Sequence, residues 1–366
     1  MSRRKPHKSL GIRQRLMRLA EAAVADASVA TDILSAPQQA LADTVEQIVR
    51  HGHDTPIASA IADLNERHAH EAADLLGFWA DDAAETLDIM LTSPDGPVHG
   101  TANFVVIPFF IANLGPDPLP VDLRSYPQFD RLAKSLRAHQ LFGPEPTLYF
   151  SGGFYRLGDL AQGWAVRRDW LQHLTEEATG QRVPQPSATP EPPHDGSSNA
   201  FRAGLRFLVG VIFVDDADDS ILWDLSDPDA PSDEVVADRF AMWRVEATSL
   251  MEEMLPTVSN VLAGDPAWWA EGVASGIALW NEMVSAILLD DHCHQANVVR
   301  DRVLADIRWI AEEDAWHIVF VSPTLTSAPQ SWLVADDPVD SREDLTDYLR
   351  ALGIHRFSVD ETGLLP

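Results

Sequence analysis

The chain is short of cysteine, short of positive charge and without a long apolar run, and each shortage closes off a class of protein. Cys293 is the only cysteine in 366 residues. It excludes a disulfide within the chain and any CxxC zinc site, and it favours a reducing, cytoplasmic location. No stretch approaches the roughly 18 continuous apolar residues that a membrane span needs, so no span is expected. The N-terminus has neither the apolar stretch nor the small-residue cleavage site of a secretory signal. It is Arg-rich and acid-free, as a mitochondrial presequence would be, but no Ser-rich, acid-poor stretch continues it beyond residue 20. The motifs GxSxG, HExxH, GxGxxG and GxxxxGK[ST] are missing too, and with them the commonest sequence marks of hydrolases and nucleotide-binding proteins.

What is present is acid. The chain carries 56 acidic and 27 basic side chains, a formal net charge of −29. The distribution is lopsided. Residues 1–18 hold seven basic side chains (Arg3, Arg4, Lys5, Lys8, Arg13, Arg15 and Arg18) and no acidic one, leaving 20 against 56, or −36, for the remainder. Such a body repels nucleic-acid phosphates and anionic membrane, and it attracts basic protein surfaces. A basic protein partner is therefore expected. Nucleic acid is expected only through the arm at 1–18.

Apolar spacing divides the chain. Ile12, Leu16, Leu19, Ala20 and Ala23, then Leu41, Val45, Ile48 and Val49, recur at helical intervals. A third helix, capped by Asp54 or Thr55 with Pro56 in its first turn, runs through Ile57, Ile61 and Leu64. A fourth holds Leu75, Leu76, Trp79, Leu87 and Met90. The texture changes at residue 103, where continuous apolar runs predict strands at 103–112, 146–151, 205–214, 220–225, 316–322, 331–335 and 354–359. Pro108 inside the first of these signals a bulge, an edge or a strand end. Helices are expected at 127–141, 156–178, 233–253, 270–289, 296–311 and 341–352. Residues 181–199 contain five prolines and almost nothing apolar, and read as a linker or loop. The expected fold class is thus mixed α/β (α+β), a helical N-terminal part followed by an α/β body with mixed sheets. The expected division is 1–26 (arm and first helix), 27–180 (helical part and first α/β unit), 181–199 (linker) and 200–366 (second α/β unit).

The segments "FVVIPFFIANLGPDPLP", "PTLYFSGGFYRLGDL", "LRFLVGVIFVDDADDSILWDL" and "EMLPTVSNVL" resemble a proteobacterial family of conserved proteins of unknown function, over roughly residues 100–350. The resemblance implies a bacterial cytoplasmic protein and lends no activity and no functional residue.

The densest chemistry is "LLDDHCH", residues 288–294. On a helix Asp290, Asp291 and His294 share a side, and carboxylate plus imidazole is half of a divalent-metal site; alternatively the run is a polar helix end. His51, His53, His68 and His70 read as a solvated helical face. "DDADDS" at 215–220 lacks the glycine and distal Glu of a calcium loop and reads as a hairpin turn. "FSGGFYRLGDL" offers a glycine turn before a helix, an anion site or a plain turn. Trp268, Trp269 and Trp280 read as core. Two functions remain in play. The first is a non-catalytic protein-interaction or regulatory protein that needs no cofactor. The second is a metal-assisted hydrolase or transferase using Asp290, Asp291 and His294 with a divalent metal.

Overall fold

The computed structural model describes residues 11–26, 34–93, 96–112, 119–120, 122–142, 147–160, 162–182, 203–215, 232–256, 260–311, 315–334 and 338–360. Four helices come first: α1 (Ile12–Asp26), α2 (Ala36–Arg50), α3 (Thr55–Glu66) and α4 (His70–Glu85). Their helically spaced apolar residues interlock in one core, with Leu16, Leu41, Val45, Ile57, Leu64 and Leu76 fully buried. Ala72, Ala73, Ala80, Ala83 and Ala84 keep the buried side of α4 shallow enough for close approach. Ser35 and Gln38 form a reciprocal capping box at the start of α2. Pro56 stands in the first turn of α3 as expected, but Asp54 makes no side-chain cap there. Its Oδ1 instead accepts from the Ala165 N–H at 3.0 Å, capping a distant helix.

The body's first sheet comprises β1 (Thr86–Ser93), β2 (Gly96–Ala112), β3 (Thr147–Tyr155), β4 (Ala203–Asp215) and β5 (Val261–Ala263), in the order β1-β2-β4-β3 with β5 on β2. Every pairing is antiparallel. The expected pairing among 103–112, 146–151 and 205–214 is therefore present, with β4 between the other two. Strands from both sides of the proline-rich segment share this sheet.

Period-two alternation sends Val105, Ile107, Phe109 and Ile111 to one face, beneath α5 (Pro127–Ala138) and α8 (Asp233–Met254). It sends Ala102, Phe104 and Val106 to the other face, beneath α7 (Trp164–Ala178) and α9 (Trp269–Ala296). The short α6 (Leu157–Leu160) links β3 to α7. Pro108 does not end β2. Its carbonyl accepts from Gly264 N–H on the β5 edge, so its missing donor faces the stretch between the β1 pairing, which stops at Asn103, and the β5 pairing, which starts at Phe109.

The second sheet comprises β6 (Leu304–Ile310), β7 (Ala315–Val321), β8 (Gln330–Leu333) and β9 (Arg356–Asp360), ordered β8-β7-β6-β9. β6, β7 and β8 form an antiparallel meander, and the crossover through α10 (Pro338–Ala351) lays β9 parallel to β6. Ala305, Ile307, Trp309, Trp316, Ile318, Phe320 and Trp332 face Leu289 of α9 and Leu345 and Leu349 of α10. By length and composition α9 would suffice to cross a membrane. Its glycine face lies against the first sheet: a Cβ at Gly272 would stand 2.7 Å from Val106 Cβ, and one at Gly276 2.5 Å from the Phe207 ring.

Two expected helices are corrected. The fourth stops at Glu85, and Leu87 and Met90 belong to β1, whose ladder with β2 begins at Thr86. The helix expected over 296–311 ends at Ala296, where Asn297 takes a left-handed conformation, and 304–310 is β6. The strand expected at 220–225, residues 216–220 of the acidic turn, residues 183–199 of the linker and residues 1–10 of the arm lie outside the described residues.

Candidate functional site

Where the helical bundle meets the first sheet, a cleft of about 350 Å³ opens between α4, β1, β2 and the start of α9. Phe78, Asp81, Asp82 and Glu85 of α4 line it at i, i+3, i+4 and i+7, one helical face. The opposite face of α4 is the alanine stripe in the bundle core, so burying that stripe turns this one outward. Thr86, Asn103 and Phe104 form the floor, and Trp268, Ala270 and Glu271 close the far wall. Thr86 Oγ1 donates to Asn103 Oδ1 at 2.9 Å, and Asn103 Nδ2 donates to Thr101 at 3.0 Å, which fixes the floor. Phe78 is 60 % exposed, a large ring left at the mouth.

α7 supplies the rear. The Asp54 carboxylate that receives Ala165 N–H would lie 2.2 Å from a Cβ at Gly163, so glycine at that position admits the cap. Trp164 Nε1 donates to Asp81 at 2.8 Å, and the buried Arg167 donates to both Asp81 and Glu85. The Arg167 guanidinium also lies over the Trp269 ring, 5.8 Å from its centre.

Four carboxylates thus face a cavity whose nearest resident cation is Arg167. Burial pushes Glu85 up to about 8; the pull of Arg167 is outweighed once Asp81, Glu271 and Asp82 add their repulsion. Asp82 is also pushed up, first by desolvation and then by Asp88 and Glu46, although its open side chain weakens the effect. The arrangement suits a planar or tetrahedral cation from outside. Guanidinium or ammonium would receive carboxylate acceptors from two elements, α4 and α9, beside the rings of Phe78 and Trp268.

Asp290, Asp291 and His294, singled out in the sequence, do stand on one helix, the last turns of α9. Asp290 pairs with Arg300, and Asp291 and His294 are exposed. Among the described residues no group of three or more His, Cys, Asp or Glu side chains could hold a metal ion. His51, His53, His68 and His70 are exposed around the ends of α2, α3 and α4. The glycine turn of β3 carries a register shift between Phe150 and Phe154. A Cβ at Gly152 would lie 2.2 Å from Asp122 Oδ1, so the Asp122–Arg124 pair occupies the space above it. Trp269 is buried against Phe104 and Trp170, as core; Trp268 and Trp280 are half-buried and lie tilted against Phe142 and Phe110.

The cleft was missed in the sequence because Glu271 lies 186 positions beyond Glu85 and only the fold joins them. The spacing Phe78, Asp81, Asp82, Glu85 was the one available signal.

Fold and cleft together define the class: an α+β protein with two sheets and an acidic, aromatic-walled cleft beside the first. The chain belongs to the family described as "protein of unknown function (DUF2863)", whose model matches residues 1–270. That stretch takes in the helical bundle, the first sheet and all of the cleft except Glu271. No curated protein and no solved structure matches the chain. Membership bears out a conserved family of unknown function, with a different span from the 100–350 read from the sequence.

Proposed function

We propose that this is a non-catalytic, cytoplasmic protein-interaction protein that receives an arginine or lysine side chain of a basic partner in the α4–α9 cleft. The observation that carries the reading is the convergence of Asp81, Asp82, Glu85 and Glu271 on one cleft, where burial and the neighbouring carboxylates push Glu85 up to about 8. Protonation relieves that crowding in the empty cleft, and a guest cation would relieve it in the occupied one. The acidic body draws a basic surface in, and the cleft gives it one defined contact. Screening at physiological salt confines the long-range part to about 8 Å, so specificity must come from close contact.

The test is titration of the full chain with an arginine-rich peptide, a lysine-rich peptide and an acidic control, followed by calorimetry at several pH values. Affinity for the basic peptides should rise between about pH 7 and 9 as Glu85 ionises. Glu271→Gln and Asp82→Asn should each weaken binding by about threefold to tenfold, and Phe78→Ala by a similar factor. Basic peptides that bind no better than the acidic control, or that bind all three variants equally, would remove the cleft from the account.

A further inference from the structure

Among the described residues the second sheet ends at β9, which pairs with β6 and with no other strand. Arg356, Ser358, Val359 and Asp360 are exposed, and Val359 leaves 40 % of its surface in water. Phe357 packs partly against the sheet's core, with the Arg350 guanidinium 5.5 Å from its ring centre. Proteins rarely leave such an edge unguarded, because its free backbone groups recruit other strands.

The five residues, Arg-Phe-Ser-Val-Asp, are self-complementary when read against a reversed copy. We propose that β9 is a homodimer contact, in which two copies pair antiparallel about a two-fold axis at Ser358 and join their second sheets into one. In that register Arg356 faces Asp360 of the other copy at both ends, Phe357 faces Val359 twice, and Ser358 faces itself. Directly opposed residues share a face, so both ion pairs fall on the side away from α9 and α10, and both apolar pairs fall on the core side, extending it. Asp360 also feels Arg308 on its own β6 neighbour, and in the dimer it stands between two guanidinium groups. A parallel pairing would place Arg356 on Arg356 and Asp360 on Asp360. A shift of two residues would leave both charges facing uncharged residues. Only the Ser358-centred antiparallel register satisfies every position, which is what an isologous contact requires. Two copies of net charge −29 repel at a distance, so this local match has to supply the attraction. The edge is short, which places the contact among weak, transient interfaces.

Sedimentation velocity on the full chain tests the proposal. The wild-type chain should pass reversibly from monomer to dimer with a dissociation constant of roughly 10–100 μM. Arg356→Asp and Asp360→Arg each convert two attractions into two repulsions and should raise it at least about tenfold. Mixed together, the two variants again place opposite charges across the edge and should associate within about threefold of the wild-type chain. Hydrogen exchange on the unaltered protein gives a reading that needs no variant: amides of 356–360 should gain protection as concentration rises. A wild-type chain monomeric throughout, single variants that dimerise as well as wild type, a mixture of folded variants that stays monomeric, or concentration-independent exchange in β9 would each overturn it.

Discussion

The two sheets of this protein are built on different terms, and α9 shows it, because it serves both. Its first turns press Gly272 and Gly276 onto Val106 and Phe207 of the first sheet, helix backbone close to strand with no side chain on the glycines to hold them apart. Its later turns meet the second sheet through a polar seam. Asn281 exchanges two hydrogen bonds with the Leu333 backbone, at 2.7 and 2.9 Å, and Ser285 accepts from Gln330 at 3.2 Å. The first sheet is helix-covered on both faces, whereas the second carries its helices on one face and leaves Arg308, Val319 and Val321 on the other partly in water. A strand covered on both faces, as β2 and β4 are, must be largely apolar along its length. A singly covered one need only alternate.

The largest expected effect follows from that difference. On β4 two successive residues, Phe207 and Leu208, point to opposite faces and are both fully buried. Phe207→Ala should cost about 3–5 kcal/mol and Leu208→Ala about 2–5 kcal/mol in denaturant unfolding. On β7, Ile318→Ala should cost about 2–5 kcal/mol, while its outward neighbour Val319→Thr should stay within about 1 kcal/mol. Comparable losses at 318 and 319 would mean that the outer face of the second sheet is covered after all, and the contrast between the sheets would fall.

The same contrast explains what could be read in advance. "FVVIPFFIA" and "LRFLVGVIFV" are unbroken apolar runs because both faces of β2 and β4 are buried, and such runs are visible without knowing any partner. β6 reads Leu-Ala-Asp-Ile-Arg-Trp-Ile, with only Ala305, Ile307 and Trp309 buried. Its polar half disguised it, and the helical signal of α9 upstream absorbed it. β1 was lost for a similar reason, as Leu87 and Met90 also fit the helix period that ends at Glu85. The bundle was legible because its four helices bury one stripe each. Of the candidate site, only the α4 face was within reach of the sequence. Trp268 and Glu271 join it through a β2–α9 contact that no local pattern announces, and the Asp290–His294 cluster drew attention by density alone.

A second effect separates the halves by pH. Glu85 has its folded pKa raised to about 8 from an ordinary value near 4.5. A raised carboxylate holds its proton better folded than unfolded, so its stabilising contribution is full below about pH 4.5 and is lost as pH rises through about 8. Glu85→Gln removes this dependence. The variant should match wild type near pH 5 and exceed it by about 2–4 kcal/mol near pH 9. A wild-type-minus-variant difference that is level across this range would show that Glu85 ionises normally and that the cleft is not crowded with charge.

The smallest effect has the opposite sign and belongs to the second sheet. His292 on α9 is 3 % exposed, and neither ring nitrogen has a hydrogen-bond partner among the described residues. Its ring centre stands 6.2 Å from that of Phe320 on β7. Burial holds its pKa below the usual 6.5, and no charged neighbour contributes to the shift. The nearby ions are engaged elsewhere: Asp290 and Arg300 pair with each other at the helix surface. The folded state thus keeps the imidazole neutral where the unfolded chain protonates it. Stability from this residue is complete above about pH 6.5 and is lost as pH falls toward the depressed folded value. His292→Leu substitutes an apolar side chain of similar size and takes up no proton. Relative to the variant, wild type should lose stability as pH falls from 7 to 5, and the loss should register in probes of the second sheet, such as fluorescence of Trp309, Trp316 and Trp332. The His292 ring resonances should show no titration step near pH 6.5. A step there, or a difference between wild type and variant that does not change with pH, would mean that water reaches the ring and that the α9 seam is wetter than its packing indicates.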